Sequence, residues 1–270
     1  MIAFPFAKIN LGLHIIEKRP DHYHNIETIF YPVEWCDILE IIKADDFAFF
    51  HTGLPVAGNA NDNLCVKAYN LLKSDWNISP VHIYLHKIIP IGAGLGGGSS
   101  DAAHTLLLLN KIFALNLSLK QLSEYAVKLG SDCAFFLQPH PMFAQGRGEL
   151  LSAIDVSLKK YFIVMVMPQV QVNTSDAYQW IIPAKPKTGL ERILKLPIEE
   201  WKNVLENDFE KPVFEKYPLL KEIKEQLYLQ GALYSAMSGS GASVFGIFKR
   251  EINFKNVFKD CVVWQDNARY

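Results

Sequence analysis

Hydrophobic and polar positions alternate along several stretches of this chain, and a period of two predicts β-strands. The clearest alternation lies at 37–43 and 81–86. A different pattern, the continuous apolar run from Tyr161 to Met167, is typical of a strand buried on both faces. Strands are predicted over 3–17, 25–43, 81–86, 161–167, 242–248 and 257–264.

Helical patterns occur between these strands. Leu64, Ala68, Leu71 and Leu72 fall on one face of a helix, and the stretch after the central glycines is strongly apolar, as in a buried helix. The predicted helices cover 63–73, 99–113, the residues from Ser118 to Gly130, and most of 173–230. Ser118 and Gln121 have the spacing of a capping box, and Gly130 is a typical helix end.

Strands and helices do not alternate regularly, so the pattern favours an α+β fold. A short polar segment precedes the apolar run at 161, and we predict a domain boundary there. This divides the chain into a domain over 1–155 and a second over 156–270.

Composition narrows the function classes. The chain has 270 residues, a formal net charge of −1 and a pI of about 6.7. Such a balance gives no electrostatic reason to expect nucleic acid or an anionic membrane as a partner. No apolar stretch reaches the roughly 18 residues that span a bilayer, and the first residues lack the pattern of a signal peptide. We therefore expect a cytoplasmic protein, and nothing in the pattern indicates a particular oligomeric state.

Metal-ligand spacing is missing from the sequence. The four cysteines, at 36, 65, 133 and 261, form no C-x-x-C pair, and the histidines are not spaced as metal ligands. We expect free thiols in a reducing compartment and assign no protein metal site.

The segment from Pro90 to Ala103 carries the strongest chemical signal. It has five glycines in seven positions, after a predicted strand and directly before the apolar helix. Glycines let backbone N–H groups converge on an anion, and a helix N-terminus adds unpaired N–H groups and a positive dipole end. The pattern predicts a phosphate-binding loop.

Two other interpretations of this loop are weaker. A plain turn with a helix cap needs only one or two glycines. Gly92, Gly94 and Gly97 satisfy the dinucleotide pattern G-x-G-x-x-G, but the acidic residue expected about 20 positions later is missing from 114–119. Neither the Walker P-loop pattern nor the protein-kinase motifs occur in the chain.

The loop resembles the second motif of the GHMP kinases, the family of galacto-, homoserine, mevalonate and phosphomevalonate kinases. Three more stretches resemble motifs of the same family in the same order: Phe6 to His14, Gly130 to Phe136, and a second glycine-rich loop from Met237 to Ser243. The resemblance implies an N-terminal domain like domain 2 of ribosomal protein S5 and a ferredoxin-like C-terminal domain.

The resemblance also implies the site residues. Asp132 matches the proposed catalytic base, and Lys8 matches a motif lysine that would stabilise the ionised carboxylate and neutralise phosphoryl charge. ATP would bind with Mg²⁺, which its phosphates and water hold, Ser99 or Ser100 being possible protein ligands. The residues implied in ATP binding are Pro90, Ile91, Gly92, Ala93, Gly94, Leu95, Gly96, Gly97, Gly98, Ser99, Ser100, Gly239, Ser240 and Gly241.

Within the family, the chain most resembles the branch that acts on a cytidine diphosphate sugar alcohol. Tyr23 and His24 match positions that hold the cytosine, and Tyr178 or its neighbour Trp180 would supply a second stacking ring. Asn10 and Thr174 would contact the sugar-alcohol and phosphate end. His22 stands where the family motif has glycine, and Arg147 lies in a stretch expected near the substrate.

The implied reaction is ATP-dependent phosphorylation of the 2-hydroxyl of this sugar alcohol, in the non-mevalonate route to isoprenoid precursors. One alternative is another small-molecule kinase of the family, acting on homoserine or a sugar. A second is a catalytically silent ligand sensor with the same fold, although such proteins tend to lose the base or a glycine loop.

Overall fold

The computed structural model describes residues 1–56, 58–254 and 257–266. Within these ranges the strands are β1 Ile2–Ala3, β2 Phe6–Lys18, β3 His24–Cys36, β4 Ile38–Lys43, β5 Ala48–Gly53, β6 Val81–Lys87, β7 Met142–Gln145, β8 Leu150–Ala153, β9 Phe162–Pro168, β10 Tyr234–Met237, β11 Val244–Phe248 and β12 Cys261–Gln265.

The α-helices of the same ranges are α1 Leu64–Asp75, α2 Gly97–Ile112, α3 Leu119–Leu129, α4 Thr174–Gln179, α5 Leu190–Ile193, α6 Ile198–Trp201, α7 Glu210–Lys216 and α8 Pro218–Leu229. Short 3₁₀ helices cover Ala60–Asp62 and Cys133–Leu137. The strands form three four-stranded sheets. Almost every pairing is antiparallel, β5 with β6 being parallel, so the arrangement is α+β as the sequence predicts.

The chain divides into two compact units, each assembled from several segments. The first comprises Met1–Lys8, Glu34–Ile91 and Gly96–Pro139; the second comprises Ile9–Val33, Gly92–Leu95 and the chain from His140 onward. Because neither unit is continuous in sequence, they do not test the domain boundary between 155 and 156, which stays a prediction.

The first unit contains the sheet of order β1-β4-β6-β5 and the helices α1 to α3. The helix predicted over 99–113 is α2, which starts two residues earlier and buries most of its first three turns. The capping box that opens α3 is confirmed, because the Ser118 hydroxyl accepts from the Gln121 N–H and the Gln121 side chain accepts from the Ser118 N–H. Gly130 caps the other end of this helix, as predicted.

The second unit contains the sheet β10-β11-β9-β12, the helices α4 to α8 and most of the sheet β2-β3-β7-β8; the first three residues of β2 and the last three of β3 belong to the first unit. The apolar run at 161–167 is confirmed as the strand β9, which lies between β11 and β12. Its side chains from Ile163 onward are buried, since they contribute to both faces of a covered sheet.

Two sequence predictions fail in part. The region 173–230 is less helical than expected, because Pro183, Pro186 and Pro197 interrupt the helical pattern and the helices between 174 and 216 are short. The strand predicted over 257–264 begins only at Cys261, after a turn in which Asp260 has a φ of 61°. Residues 255 and 256, beside that predicted strand, lie outside the described residues.

A buried ionic cluster lies in the first unit. The Lys87 ammonium, at the end of β6, contacts the carboxylate of Asp37 and lies 2.8 Å from Asp101 Oδ2 on α2. Asp37 Oδ1 also accepts hydrogen bonds from the N–H groups of Ile88 and Ile89, at 2.5 and 2.8 Å. All three charged side chains are almost fully buried, so each depends on the others for its charge balance.

Removing the cation should therefore be costly. We expect Lys87→Met to lower the free energy of unfolding by roughly 3–5 kcal/mol, because it leaves two carboxylates buried without their counter-ion. Denaturant unfolding of the purified variant measures this change. The matched control is Lys120→Met on the exposed face of α3, which should cost less than about 0.5 kcal/mol. Equal losses in the two variants would show that the cluster contributes no net stability.

Candidate active site

Lys8 and Asp132 come together in the first unit, as the motif resemblance implies. Lys8 Nζ lies 3.7 Å from Asp132 Oδ2, where Lys8 is at the third position of β2 and Asp132 is the N-cap of the Cys133–Leu137 3₁₀ helix. The lysine side chain is 4% exposed, whereas the aspartate is 29% exposed. The carboxylate is therefore accessible to solvent, whereas the lysine ammonium is enclosed by protein.

Aromatic packing fixes the position of this pair. Phe6, two residues before Lys8, packs against Phe135 and Phe136, whose ring centroids lie 6.2 and 5.3 Å away. The residue next to Asp132 also contributes, since the Ser131 hydroxyl donates to Asp132 Oδ1 over 3.3 Å. Both backbones that carry the charged pair are thus held by the same hydrophobic contacts.

Burial lowers the pKa of the Lys8 ammonium, and the neighbouring Asp132 carboxylate partly offsets this effect. For a lysine in such a site, desolvation favours the neutral amine and a nearby carboxylate favours the charged ammonium. Extra negative charge, such as that of a phosphoryl group, would favour its protonated form.

The second half of the central glycine loop opens α2 in the first unit. Gly96 is the N-cap with a φ of 69°, a left-handed conformation that favours glycine. A Cβ atom at Gly96 would lie 2.6 Å from the ring of Phe136, so a side chain has no room there. The first N–H groups of α2 are therefore presented by backbone alone, which is the arrangement that binds phosphate at a helix N-terminus.

Ser99 and Ser100 have different environments in the first turn of α2. Ser100 is fully buried, and its Oγ lies 3.5 Å from His104 Nδ1. Ser99 is partly exposed. Of the two hydroxyls, that of Ser99 is the better placed to meet a phosphate or a phosphate-bound cation.

The first half of the loop packs against the second glycine-rich loop, within the second unit. The Ser238 hydroxyl donates to the Gly94 carbonyl over 2.9 Å, and the Ser243 N–H donates to the Ala93 carbonyl over 3.2 Å. The Ser243 hydroxyl also donates to this carbonyl. The two motifs, 144 positions apart at the Ser238 contact, form one hydrogen-bonded structure.

Asn207 is a site-supporting residue that the sequence analysis did not find. Its Nδ2 donates to the carbonyls of Met237 and Gly239, at 2.8 and 2.9 Å, and its side chain is buried. These two bonds hold the backbone on both sides of Ser238. No local motif marks Asn207, since it lies in a short connection before α7.

Asn10 and Thr174, both predicted to contact substrate, adjoin the second glycine-rich loop. Asn10 Nδ2 donates to Thr28 Oγ1 over 2.9 Å, and its Oδ1 accepts from the Ser238 hydroxyl over 3.4 Å. Asn10 is buried, so these bonds make it a support of the loop. The Thr174 and Ser240 hydroxyls lie 2.9 Å apart, and Thr174 is exposed at the start of α4.

The three predicted base-binding residues lie in the second unit. The rings of His24 and Tyr178 stack directly on each other, with centroids 4.8 Å apart and an interplanar angle of 13°. Phe209 supports Tyr178 edge-on at 4.9 Å. The Tyr23 side chain is 57% exposed and lies under the Arg147 guanidinium, 5.0 Å from the ring centroid. Trp180, the alternative to Tyr178, instead carries Lys216 over its ring at 4.6 Å.

His22 adopts the conformation expected where the family motif has glycine. Its φ is 67°, in the left-handed region, and its N–H donates to the Arg19 carbonyl over 3.1 Å. Arg19 pairs with Asp21 at 2.9 Å, and the Tyr23 N–H donates to Asp21 Oδ1. The Arg19–Asp21 pair and the bond from the Tyr23 N–H stabilise the shape of the turn. Histidine can replace glycine in it, because histidine tolerates positive φ better than β-branched residues do.

Neither a metal-binding group nor a membrane span is found in the part of the chain that the structure describes. Within residues 1–56, 58–254 and 257–266, no three His, Cys, Asp or Glu side chains are grouped as metal ligands. In the same residues, no helix is both long and apolar enough to span a bilayer.

The tight packing of the two glycine loops gives a testable difference between two glycines of similar φ. A Cβ at Gly94 would overlap the Ser238 carbonyl oxygen, whereas a Cβ at Gly92 meets nothing within 4 Å. We expect Gly94→Ala to lower the free energy of unfolding by about 2–4 kcal/mol, from backbone strain and overpacking together. Gly92→Ala should cost only about 1 kcal/mol, from strain alone. Urea unfolding without nucleotide measures both, and equal costs would contradict the contact.

Comparison with known proteins agrees with this geometry. The chain matches the family described as GHMP kinases N terminal domain over residues 63–139 and that described as GHMP kinases C terminal over residues 190–260. It is 54% identical over 255 residues to a protein of Bacteroides fragilis, and 49% identical over 267 residues to one of Parabacteroides distasonis. Both relatives are named 4-diphosphocytidyl-2-C-methyl-D-erythritol kinase; the first match covers 93% of each chain and the second 98%.

Solved structures show the same relationship. A crystal structure of a 4-(cytidine 5'-diphospho)-2C-methyl-D-erythritol kinase superposes with a TM-score of 0.79 at 33% identity, covering 92% of this chain and 90% of that one. A homoserine kinase from Cytophaga hutchinsonii shares the fold, with a TM-score of 0.68 at 16% identity, over 97% of this chain and 94% of that one. The chain therefore belongs to the GHMP kinase family, in the branch whose members are named 4-diphosphocytidyl-2-C-methyl-D-erythritol kinase.

Proposed function

We propose that this enzyme transfers the γ-phosphoryl group of ATP to the 2-hydroxyl of 4-diphosphocytidyl-2-C-methyl-D-erythritol, in the non-mevalonate route to isoprenoid precursors. The observation that carries the proposal is the Lys8–Asp132 pair, with Nζ and Oδ2 at 3.7 Å, in a chain whose relatives bear this substrate in their names. We also propose that the enzyme acts in the cytoplasm, as its sequence predicts.

Asp132 would act as the general base. Its carboxylate accepts the proton of the substrate hydroxyl as that oxygen forms a bond to the γ-phosphorus, while the bond from this phosphorus to the β–γ bridging oxygen breaks and ADP leaves. The proton passes from Asp132 to solvent after the transfer. Lys8, 3.7 Å from this carboxylate, would neutralise charge on the transferring group.

ATP would arrive as its Mg²⁺ complex, with the cation bound chiefly by phosphate oxygens and water. The N–H groups at the start of α2 would bind the phosphates. Ser99 is the hydroxyl we assign to this role, because Ser100 is buried beside His104. Phosphoryl transfer needs mainly positioning and charge neutralisation, so this small set of groups is sufficient.

The cytidyl end would be held by aromatic stacking. The Tyr178–His24 stack gives a rigid platform, and the exposed Tyr23 ring is available to a base. Thr174 would contact the phosphate or sugar-alcohol end, and Asn10 would act there by holding Ser238. Arg147 stabilises the orientation of Tyr23 through its contact with the ring.

The substrate is tested by ADP release from MgATP in the presence of single acceptors. We expect turnover with 4-diphosphocytidyl-2-C-methyl-D-erythritol, and at least 100-fold less with homoserine, mevalonate or galactose, about 2.7 kcal/mol of discrimination. Turnover with another acceptor alone would keep the kinase chemistry and overturn the substrate assignment. ATP binding without turnover on any acceptor would identify a ligand sensor in place of an enzyme.

General-base catalysis predicts the effect of neutralising Asp132. We expect Asp132→Asn to lower kcat by roughly 10²–10⁴-fold with little change in the KM for ATP, because the amide cannot accept the hydroxyl proton. Steady-state kinetics measures both constants. Asp155→Asn, at an exposed position, is the matched control and should leave kcat unchanged. A kcat for Asp132→Asn within a factor of three of the unmodified enzyme would assign Asp132 a structural role only.

The stacking platform predicts a different kinetic signature. Loss of a ring that stacks on a base costs roughly 1–3 kcal/mol, so Tyr178→Ala should raise the KM for the cytidyl substrate by about 5- to 150-fold. Tyr178→Phe keeps the ring and its contacts with His24 and Phe209, and should change this KM by less than about threefold. The KM for ATP should stay constant in both. If Tyr178→Ala changes both KM values equally, the ring supports the fold and does not recognise the base.

A further inference from the structure

The sheet β1-β4-β6-β5 of the first unit has one buried face and one exposed face. Leu39, Ile41 and Ile83 point to the buried face, and the residues between them on β4 and β6 point outward. Outward positions on such a sheet are normally polar. Here six large apolar side chains, on or directly beside these strands, are each between 37% and 62% exposed: Ile2, Phe4, Ile38, Ile42, Phe50 and Tyr84.

The strand register shows that these side chains form one contiguous patch. Tyr84 on β6 lies between Glu40 on β4 and Phe50 on β5, and residues directly opposite each other share a face. Ile2 on β1 pairs with Glu40 from the other side. The rings of Phe50 and Tyr84 stack, with centroids 4.8 Å apart and an interplanar angle of 13°. We call this patch the outer sheet face; besides the six apolar residues it contains Glu40, Thr52, His82 and His86.

Polar side chains of the outer sheet face are hydrogen bonded within the first unit. His82 Nε2 lies 3.0 Å from Asp46 Oδ1, and the Tyr84 hydroxyl lies 3.4 Å from His82 Nδ1. Thr52 Oγ1 lies 2.9 Å from His86 Nδ1. Covering a surface is costly when polar groups lose water without gaining a partner, and groups that are already paired keep their partners. These bonds therefore lower the cost of covering the face.

The size of the outer sheet face suits a protein interface. A large side chain presents on the order of 200 Å² when fully accessible, so these six offer on the order of 600 Å² of apolar surface. A stable interface buries about 800 Å² on each partner, and in homodimers about 65% of this area is apolar. The apolar requirement is therefore about 500 Å² per partner, which the face meets.

We propose that the outer sheet face is the interface of a two-fold symmetric homodimer. Two sheet faces are complementary in shape, since sheets pack face to face about 10 Å apart, and two-fold dimers are the commonest soluble oligomers. The chain has 27 Lys and Arg residues against 28 Asp and Glu residues, so it has no cationic excess that would direct the face to an anionic lipid surface or to nucleic acid.

Glu40 and His86 indicate where the two-fold axis lies. Glu40 pairs with Tyr84, and Ile38 pairs with His86, so Glu40 and His86 are diagonal neighbours on adjacent strands. When the Thr52 hydroxyl donates to His86 Nδ1, the proton of the neutral ring is on Nε2, which can donate to a carboxylate. An axis in the plane of the interface, midway between the two residues, places Glu40 of each copy opposite His86 of the other.

Sedimentation equilibrium of the full-length chain tests the oligomeric state. We expect twice the 30.6 kDa mass of the chain at concentrations of about 1–50 μM, where a dimer of micromolar or better affinity is populated. Phe50→Asp enters the interface twice, once in each copy, and should raise the dissociation constant of the dimer at least about 100-fold, because it buries unpaired charge. An unmodified chain that stays monomeric throughout this range would overturn the proposal.

Leu229→Asp is the matched control for this substitution. Leu229 is 75% exposed at the end of α8, in the second unit, and is not part of the outer sheet face. Its replacement should leave the dissociation constant within about threefold of the unmodified value. Equal weakening by both variants would show non-specific association and overturn the proposal. Circular dichroism checks the fold, and Ile42→Lys replaces Phe50→Asp if that variant does not fold.

A charge exchange tests the position of the axis. Glu40→Lys removes the acceptor, and His86→Glu places two carboxylates opposite each other, so each should raise the dissociation constant about 10-fold or more. The double variant restores opposite charges across the interface and should return to within about threefold of the unmodified value. A double variant weaker than both single variants would overturn this arrangement. These measurements use neither ATP nor the cytidyl substrate, so their outcome is independent of the proposed reaction.

Discussion

In the second unit, the candidate site depends on one constraint, the close contact between the backbones of two glycine-rich loops, at 92–95 and 237–243. Gly94 has no space for a side chain beside the Ser238 carbonyl, and the serines of the second loop donate to the carbonyls of Ala93 and Gly94. Loops this rich in glycine have high conformational entropy when free. Hydrogen bonds between them, and from Asn207 to the carbonyls of Met237 and Gly239, fix their backbone conformation.

In the first unit the main constraint is electrostatic, because two lysine side chains are buried there beside carboxylates. Lys8 is buried behind a partly exposed carboxylate, while Lys87 is buried between two carboxylates under the start of α2. A pair with one accessible acid is suited to proton transfer, because the acid can meet a hydroxyl. In a cluster with no access to solvent, each charge depends on its partners, because little water is present to screen it.

Sequence reasoning found the motifs because glycine loops and their flanking residues are local patterns. The strand at 162–168, the helix α2, the capping box at Ser118 and the pairing of Lys8 with Asp132 all follow from such patterns or from the motif resemblance. It missed Asn207 and the Lys87 cluster, because their partners lie 30 and 50 positions away and no local spacing records them. It also missed β10, because four residues, Tyr234–Met237, are too few to show the period of a strand.

The short helices between 174 and 216 were also beyond prediction from local patterns. Helical periodicity was present there, but prolines and long-range packing decided where each short helix ends. At His22, in contrast, a local pattern is informative, because the residue occupies a motif position that prefers glycine and has a left-handed φ. The bonds of Arg19 and Asp21 that stabilise this turn are visible only in the structure.

The most direct measurement of the central claim is the structure of the product formed from ATP and 4-diphosphocytidyl-2-C-methyl-D-erythritol. ³¹P and ¹³C NMR of the reaction mixture should show one new phosphomonoester, coupled to the carbon that bears the 2-hydroxyl, formed in equal amount with ADP. A phosphomonoester on another hydroxyl would contradict the assigned acceptor. ADP formed with inorganic phosphate alone would contradict phosphoryl transfer to the alcohol and reduce the activity to ATP hydrolysis.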